Sequence, residues 1–164
     1  MALKDNEVFL RLKEKSDAYF EEKQRAEKEK SEIIEKGGWE NNPELDVWYE
    51  RLKEHEKTRL PGGTVRALFF WREAAREGRE EIVMNDFLWD DDVKDFADTM
   101  KSAGIESLVT IDRSTGLMGN LHALAENGYE PEGLCLVEMK DFRGEARKAQ
   151  GIRLVLRKQD GKRG

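Results

Sequence analysis

From Glu80 onward, short β-branched and apolar segments alternate with segments whose apolar residues recur at helical spacing. The strand candidates are residues 80–85, 106–111, 133–139 and 151–157. Helical segments separate the first three strands, a pattern typical of βαβ units and a partly parallel sheet. Roughly ten residues separate the last two strands, too few for a helical crossover, so these strands are predicted to form an antiparallel hairpin.

The apolar patterns of the last two strands predict different positions in the sheet. Residues 134–137 are consecutively apolar, which is typical of a strand covered on both faces. In the last strand Ile152, Leu154 and Leu156 alternate with Arg153 and Arg157, which indicates an edge strand. Cys135, the only cysteine, is expected to be a small buried hydrophobe.

The N-terminal part of the chain is predicted to be helical. Residues 5–36 contain no glycine or proline and are rich in residues that favour helices. Their heptad seam is diluted by Ser16, Lys23 and Lys30, so a solvated helical arm is favoured over a coiled coil. Two further helices follow, one opening at Pro43 and one that Thr64 is expected to cap.

These patterns predict an α+β fold, with N-terminal helices packed on a small four-stranded mixed sheet. The predicted order of elements is α-α-α-β-α-β-α-β-β. We expect residues 1–38 to form a long charged helical arm, residues 39–158 an α/β globular domain, and residues 159–164 a disordered tail.

Charge is abundant and unevenly distributed. Asp, Glu, Lys and Arg make up 39% of the chain and the net charge is −6, but residues 140–164 carry +6 and residues 1–139 carry −12. The uniformly basic surface of a typical nucleic-acid-binding domain is therefore absent. No apolar run reaches the roughly 18 residues that cross a bilayer, and the charged beginning lacks the apolar core of a signal peptide, so we expect a cytoplasmic protein.

Carboxylates follow the first two predicted strands. Asp86 and Asp112 would lie at the ligand-binding edge of an open α/β sheet, where carboxylate oxygens suit Mg²⁺ and a phosphate ester. Asp90, Asp91 and Asp92 could add further ligands. The favoured interpretation of these three residues is that they stabilise a helix N-terminus, so no metal or other cofactor is predicted.

The stretch after the second strand permits two interpretations. Ser114 and Thr115 precede Gly116 and could direct backbone N–H groups toward an anion, although no complete phosphate-binding motif is present. A capped helix explains the same residues, and we favour it. His122 is predicted to lie at the boundary between core and solvent.

The C-terminal segment and one tryptophan are candidates for macromolecular contact. Five basic residues could touch nucleic-acid phosphates, or could protect a sheet edge against aggregation: Arg143, Arg147, Lys148, Arg153 and Arg157. An exposed Trp89 would suit the centre of a protein-binding surface.

A resemblance covers the segment from about Trp39 to Arg157. The run DFLWDDDVKDFADTMKSAGIESLVTIDRSTGLMGNLHALAENGYEPEGLCLVE resembles a family of small uncharacterised bacterial proteins carried on conjugative and other mobile genetic elements. This resemblance implies a bacterial cytoplasm and an accessory protein that binds host machinery. It favours an anti-defence protein, such as an inhibitor of a CRISPR nuclease, and supplies no catalytic residues.

The leading hypothesis is therefore a non-enzymatic binding or regulatory protein whose partner is a macromolecule, and a nucleoprotein nuclease is a candidate for that partner. An acidic surface can compete with nucleic acid for a basic groove, because carboxylates occupy a field prepared for phosphates. Two alternatives stay open. One is a Mg²⁺-dependent phosphate-ester or nucleotide-handling enzyme that uses Asp86 and Asp112, and the other is a structural protein that self-associates through its first helix.

Overall fold

The structure, a computed structural model, describes residues 2–158 and confirms the predicted fold class and order of elements. The helices are Glu7–Gly37 (α1), Pro43–Glu56 (α2), Gly62–Arg76 (α3), Asp90–Ser102 (α4) and Leu117–Glu126 (α5), and a short 3-10 helix spans Leu3–Asp5. The strands are Ile82–Met84 (β1), Ser107–Thr110 (β2), Tyr129–Lys140 (β3) and Ala146–Leu156 (β4). The predicted disordered tail, residues 159–164, lies outside the described residues.

The chain divides into two compact units. Residues 11–60 form a helical unit, and the segments before and after them form a unit that contains the whole sheet. The boundary predicted after residue 38 lies inside the helical unit.

In the helical unit, α2 packs along one face of α1. Ile33, Leu45 and Trp48 form a buried cluster, and the indole N–H of Trp48 donates to the Ala26 carbonyl at 2.8 Å. At the other end of the hairpin, the Tyr19 ring stacks on the ring of His55 with 4.7 Å between their centroids. The second half of α1 is therefore covered on one side by α2, because its few apolar residues share a face.

The four strands lie in the order β1-β2-β4-β3. β1 and β2 are parallel, while β4 is antiparallel to both of its neighbours, β2 and β3. The predicted hairpin of β3 and β4 is confirmed, but the prediction that β4 lies at an edge is wrong. Its alternating charge is tolerated inside the sheet because Arg153 donates to both carboxylate oxygens of Glu81, at 2.8 and 3.0 Å.

The prediction that β3 is covered on both faces is also wrong. β3 is an outer strand, and it pairs with β4 along its whole length. β2 pairs only with residues 152–155, so residues 146–151 of β4 pair with β3 alone. We call residues 133–151, which contain this two-stranded extension (residues 135–151), the ribbon. Within it Cys135 is partly exposed, because the helices and β2 do not reach far enough to bury it.

Helices α3 and α4 pack closely against each other. A Cβ added to Gly63 would lie 2.1 Å from the Asp92 carbonyl oxygen, so only glycine permits this approach. The hydroxyl of Thr64 bonds that of Thr99 at 2.9 Å across the same contact. Thr64 therefore lies within α3 and joins two helices, and the prediction that it caps α3 is wrong.

Candidate functional site

The parallel strands β1 and β2 end side by side, as the sequence predicts. Met84 is paired with Thr110, and the Ile111 N–H donates to the Met84 carbonyl at 2.9 Å. The chain then leaves β1 toward Asp86 and leaves β2 toward Asp112. Both predicted carboxylates consequently follow strands that end at the same edge of the sheet.

Asp112 is buried, and its carboxylate is occupied by the turn that follows it. One oxygen accepts the Ser114 backbone N–H at 2.9 Å, and the other accepts the Ser114 hydroxyl at 2.8 Å. The Ser114 hydroxyl oxygen in turn accepts the Gly116 N–H at 3.3 Å. A buried carboxylate with these partners stabilises a turn, since each hydrogen bond replaces the water lost on burial.

Asp86 is exposed and has different partners. One oxygen accepts the Phe87 N–H at 2.9 Å, and the other lies 3.3 Å from the guanidinium of Arg66 on α3. Asp86 and Asp112 thus each bind groups of the protein. Within residues 2–158, no three His, Cys, Asp or Glu side chains are grouped so that they could hold a metal ion.

The two helices that start at this edge lack the predicted side-chain caps. α4 begins at Asp90 and its N-cap is Trp89, so Asp90, Asp91 and Asp92 lie in the first turn. There their negative charges still interact favourably with the positive end of the helix dipole. α5 is preceded by Gly116 as its N-cap, with no side-chain cap bond. Ser114 and Thr115 therefore belong to the turn before α5, and the prediction that one of them caps the helix is wrong.

Asn120 is a structural residue that the sequence analysis missed. Its side-chain oxygen accepts the Leu88 N–H at 2.6 Å, and its amide donates to the Leu88 carbonyl at 2.7 Å. The buried side chain therefore supplies both bonds that a neighbouring strand would make. A signal was present, since Asn120 is a polar residue on the helix face that carries Leu117, Leu121 and Leu124.

The exposed part of this edge combines aromatic and acidic side chains. Phe87 and Trp89 meet edge to face, with 5.0 Å between their ring centroids, and Trp89 is 69% exposed. The side chains of Asp86, Asp90 and Asp91 are exposed around them. We call these five residues the acidic aromatic surface.

Neighbouring residues hold this surface in place. The guanidinium of Arg66 lies 4.9 Å from the centre of the Phe70 ring and 5.5 Å from that of the half-exposed Phe69, while it pairs with Asp86. On the other side, a Cβ added to Gly116 would lie 3.3 Å from Phe87. Asp86 is thus held by α3, and Phe87 lies against the turn before α5.

The remaining predicted residues do not join this surface through any contact that we observe. His122 is exposed on α5. Among the basic residues, Arg147 pairs with Asp141, Arg153 with Glu81 and Arg157 with Glu130. The hydrogen bond to Glu81 raises the pKa of Arg153. Lys148 lies opposite Glu138 in the ladder, and Arg143 lies over the Phe142 ring. Acidic partners therefore offset much of the positive charge predicted to meet phosphates.

The fold and this edge define a small α+β protein, and sequence comparison assigns its family. The chain belongs to the family described as a domain of unknown function, DUF7698, which matches residues 66–156. The matched segment begins in α3 and includes the acidic aromatic surface and all four strands. Neither a curated protein nor a solved structure matches the chain. Across residues 2–158, no helix is both long and apolar enough to cross a membrane.

Proposed function

We propose that the protein is a non-enzymatic binding protein and that the acidic aromatic surface engages a basic surface on a macromolecular partner. The observation that supports this most directly is the exposure of Trp89 beside Phe87, with three exposed carboxylates around them. Tryptophan in this setting is typical of the residues that dominate binding energies in protein interfaces.

The chemistry of the surface specifies the kind of partner. The faces of the indole and phenyl rings attract lysine and arginine side chains, and neighbouring carboxylates strengthen that attraction. Residues 1–139 carry a net charge of −12. This negative charge would attract a basic partner to that part of the protein and repel nucleic acid. A basic protein surface that normally binds nucleic-acid phosphates has the matching properties.

A nucleoprotein nuclease is the partner that we propose within this class. The resemblance to proteins of bacterial mobile elements supports this choice, because such elements benefit from blocking host nucleases. The acidic aromatic surface would occupy the groove in place of nucleic acid, with Trp89 anchoring the contact and the carboxylates replacing phosphates.

The proposal is tested with Trp89→Ala and a matched control, Trp39→Ala. Trp39 lies in the helical unit and is 66% exposed, so both variants remove a similarly exposed indole. Tagged proteins are incubated with a bacterial lysate that contains defence nucleases, with and without nuclease treatment, and retained proteins are identified and titrated. We expect a nuclease-resistant partner whose affinity falls about 30-fold in Trp89→Ala, the effect of a hot spot worth about 2 kcal/mol.

The same titration with the double variant Asp90→Asn and Asp91→Asn separates charge from ring contact. We expect weaker binding and a smaller dependence on salt, because two carboxylates no longer face the basic partner. Equal loss in Trp39→Ala and Trp89→Ala, or full binding by Trp89→Ala, contradicts the proposed surface.

A further inference from the structure

β3 presents an unpaired edge of the sheet. It is the outermost strand, and within residues 2–158 its outer side is paired with no other strand. Such an edge carries backbone N–H and C=O groups that can extend the sheet with another strand. Proteins usually protect these edges with proline, bulges or charge.

Proline and a bulge protect only one end of β3. Pro131 lacks an N–H, and the register shifts between Pro131 and Gly133. From Gly133 to Lys140 the ladder with β4 continues without a further shift. This part of the strand instead exposes two leucines on one face, Leu134 at 90% and Leu136 at 60%.

We propose that β3 pairs with β3 of a second copy of this chain, antiparallel, about a two-fold axis at Leu136. The two Leu136 side chains then face each other, Cys135 of each copy faces Val137 of the other, and Leu134 of each copy faces Glu138 of the other. Beyond the ends of this ladder, Glu132 of one copy lies opposite Lys140 of the other, which gives two complementary charge pairs. The sheets of the two copies join into one eight-stranded sheet.

The charges along β3 distinguish this register from its neighbours. An axis at Cys135 would place Glu132 opposite Glu138, and like charges directly opposite each other destabilise a sheet. An axis at Val137 would place both leucines opposite charged residues, Leu136 opposite Glu138 and Leu134 opposite Lys140, and would bring no opposite charges together, whereas the axis at Leu136 places only Leu134 opposite a charge. Parallel pairing in register would place each glutamate beside the same glutamate of the other copy. Of these three axes, the one at Leu136 is the one that joins an apolar centre to opposite charges at the ends and sets no like charges opposite each other.

The occupant is a second copy because the edge is complementary to itself. In antiparallel self-pairing an acidic residue at one end meets a basic residue at the other end, and β3 has Glu132 and Lys140 at those places. This inference does not depend on the proposed function, since the acidic aromatic surface follows β1, at the opposite edge of the sheet.

Cysteine cross-linking tests the register. In a Cys135→Ser background, Leu136→Cys places the two sulfurs opposite each other, because facing Cβ atoms in a sheet lie about 4.5 to 5.5 Å apart. In the matched variant Leu134→Cys, the two cysteines lie four residues apart along the strand direction, a separation of about 13 Å. Under mild oxidation we expect a disulfide-linked dimer from Leu136→Cys and no comparable product from Leu134→Cys or from wild-type Cys135.

Sedimentation equilibrium tests the association itself. We expect the mass of the wild-type protein to rise from monomer to dimer with concentration, and Leu136→Glu to stay monomeric with an unchanged circular dichroism spectrum. Lys140→Glu should weaken the dimer, and adding Glu132→Lys should restore it. A wild-type monomer up to about millimolar concentration, where even weak pairing is populated, overturns the proposal. So does cross-linking that is as strong at position 134 or 135 as at position 136.

Discussion

The parallel strands β1 and β2 and the ribbon of β3 and β4 use apolar residues in opposite ways. β1 and β2 are short, and nearly all of their residues are buried between helices and neighbouring strands. In the ribbon, Leu134 and Leu136 are exposed, because the strands continue beyond the elements that would cover them. Position in the sheet, rather than local apolar content, decides what is buried.

The polar residues of the two regions also differ in burial. Near the ends of β1 and β2, Asp112 in the loop after β2 and Asn120 on α5 are buried, and their side chains hold loops in place through hydrogen bonds. In the ribbon, the charged side chains meet solvent or pair across the two strands. The same sheet therefore contains one region whose polar groups stabilise the fold and one whose apolar groups are free to bind.

A pair of leucine substitutions should give the largest difference between the two regions. Leu108→Ala in β2 removes a fully buried side chain and leaves a cavity, so we expect a loss of about 2 to 5 kcal/mol in the free energy of unfolding. Leu134→Ala in the ribbon should change it by less than about 0.5 kcal/mol. Urea denaturation of both variants at low protein concentration measures the two values, and equal losses would contradict the comparison.

Removing a buried polar group should have a smaller effect than the β2 cavity. Asn120→Ala leaves the N–H and carbonyl of Leu88 without their partners, which should cost about 2 kcal/mol. His122→Ala, two residues later on the exposed side of α5, is the matched control and should be nearly neutral. The comparison is sharpened by thermal unfolding, and an Asn120→Ala variant as stable as His122→Ala would show that the two bonds are dispensable.

The smallest effect is expected at Tyr129, where β3 leaves the core. Its hydroxyl donates to the Ile105 carbonyl at 2.6 Å, and burial raises the pKa of Tyr129. Tyr129→Phe should lose about 1 kcal/mol at neutral pH.

The raised pKa of Tyr129 also predicts the sign of a pH effect. The unfolded chain releases this proton first, at about pH 10, so the wild-type free energy of unfolding should fall as pH rises from there toward the folded-state pKa. Tyr129→Phe should lack this part of the decline. Denaturant titrations from pH 8 to 11 measure it, and identical declines in both proteins would contradict the assignment.

Periodicity in the sequence predicts the elements well because it reflects which residues share a face. The spacing of Val93, Phe96 and Met100 predicts α4, and the short connection after Lys140 predicts the hairpin. Strand order is different, since an apolar run such as residues 134–137 has the same pattern whether or not other elements cover it. The placement of β4 between β2 and β3 depends on distant pairings that no local pattern contains.

For the candidate site, as for the fold, the sequence predicts the positions of residues along the chain better than their contacts. The topology of alternating strands and helices is enough to place Asp86 and Asp112 at one edge. Their actual partners differ in distance along the chain, because Ser114 lies two residues from Asp112 whereas Arg66 lies 20 residues from Asp86. The exposure of Trp89 was not predictable, since a tryptophan before a helix is equally compatible with burial.

The order in which the sheet-containing unit is synthesised differs from the order in which it can assemble. The Leu3 carbonyl accepts the indole N–H of Trp71, and Phe9 stacks on the same ring, although 68 residues separate Leu3 from Trp71. At typical translation rates this separation corresponds to roughly 3 to 14 s. Until Trp71 is synthesised, Leu3 and Phe9 lack the ring that they contact in the folded protein, although all of the helical unit, residues 11–60, has already been made.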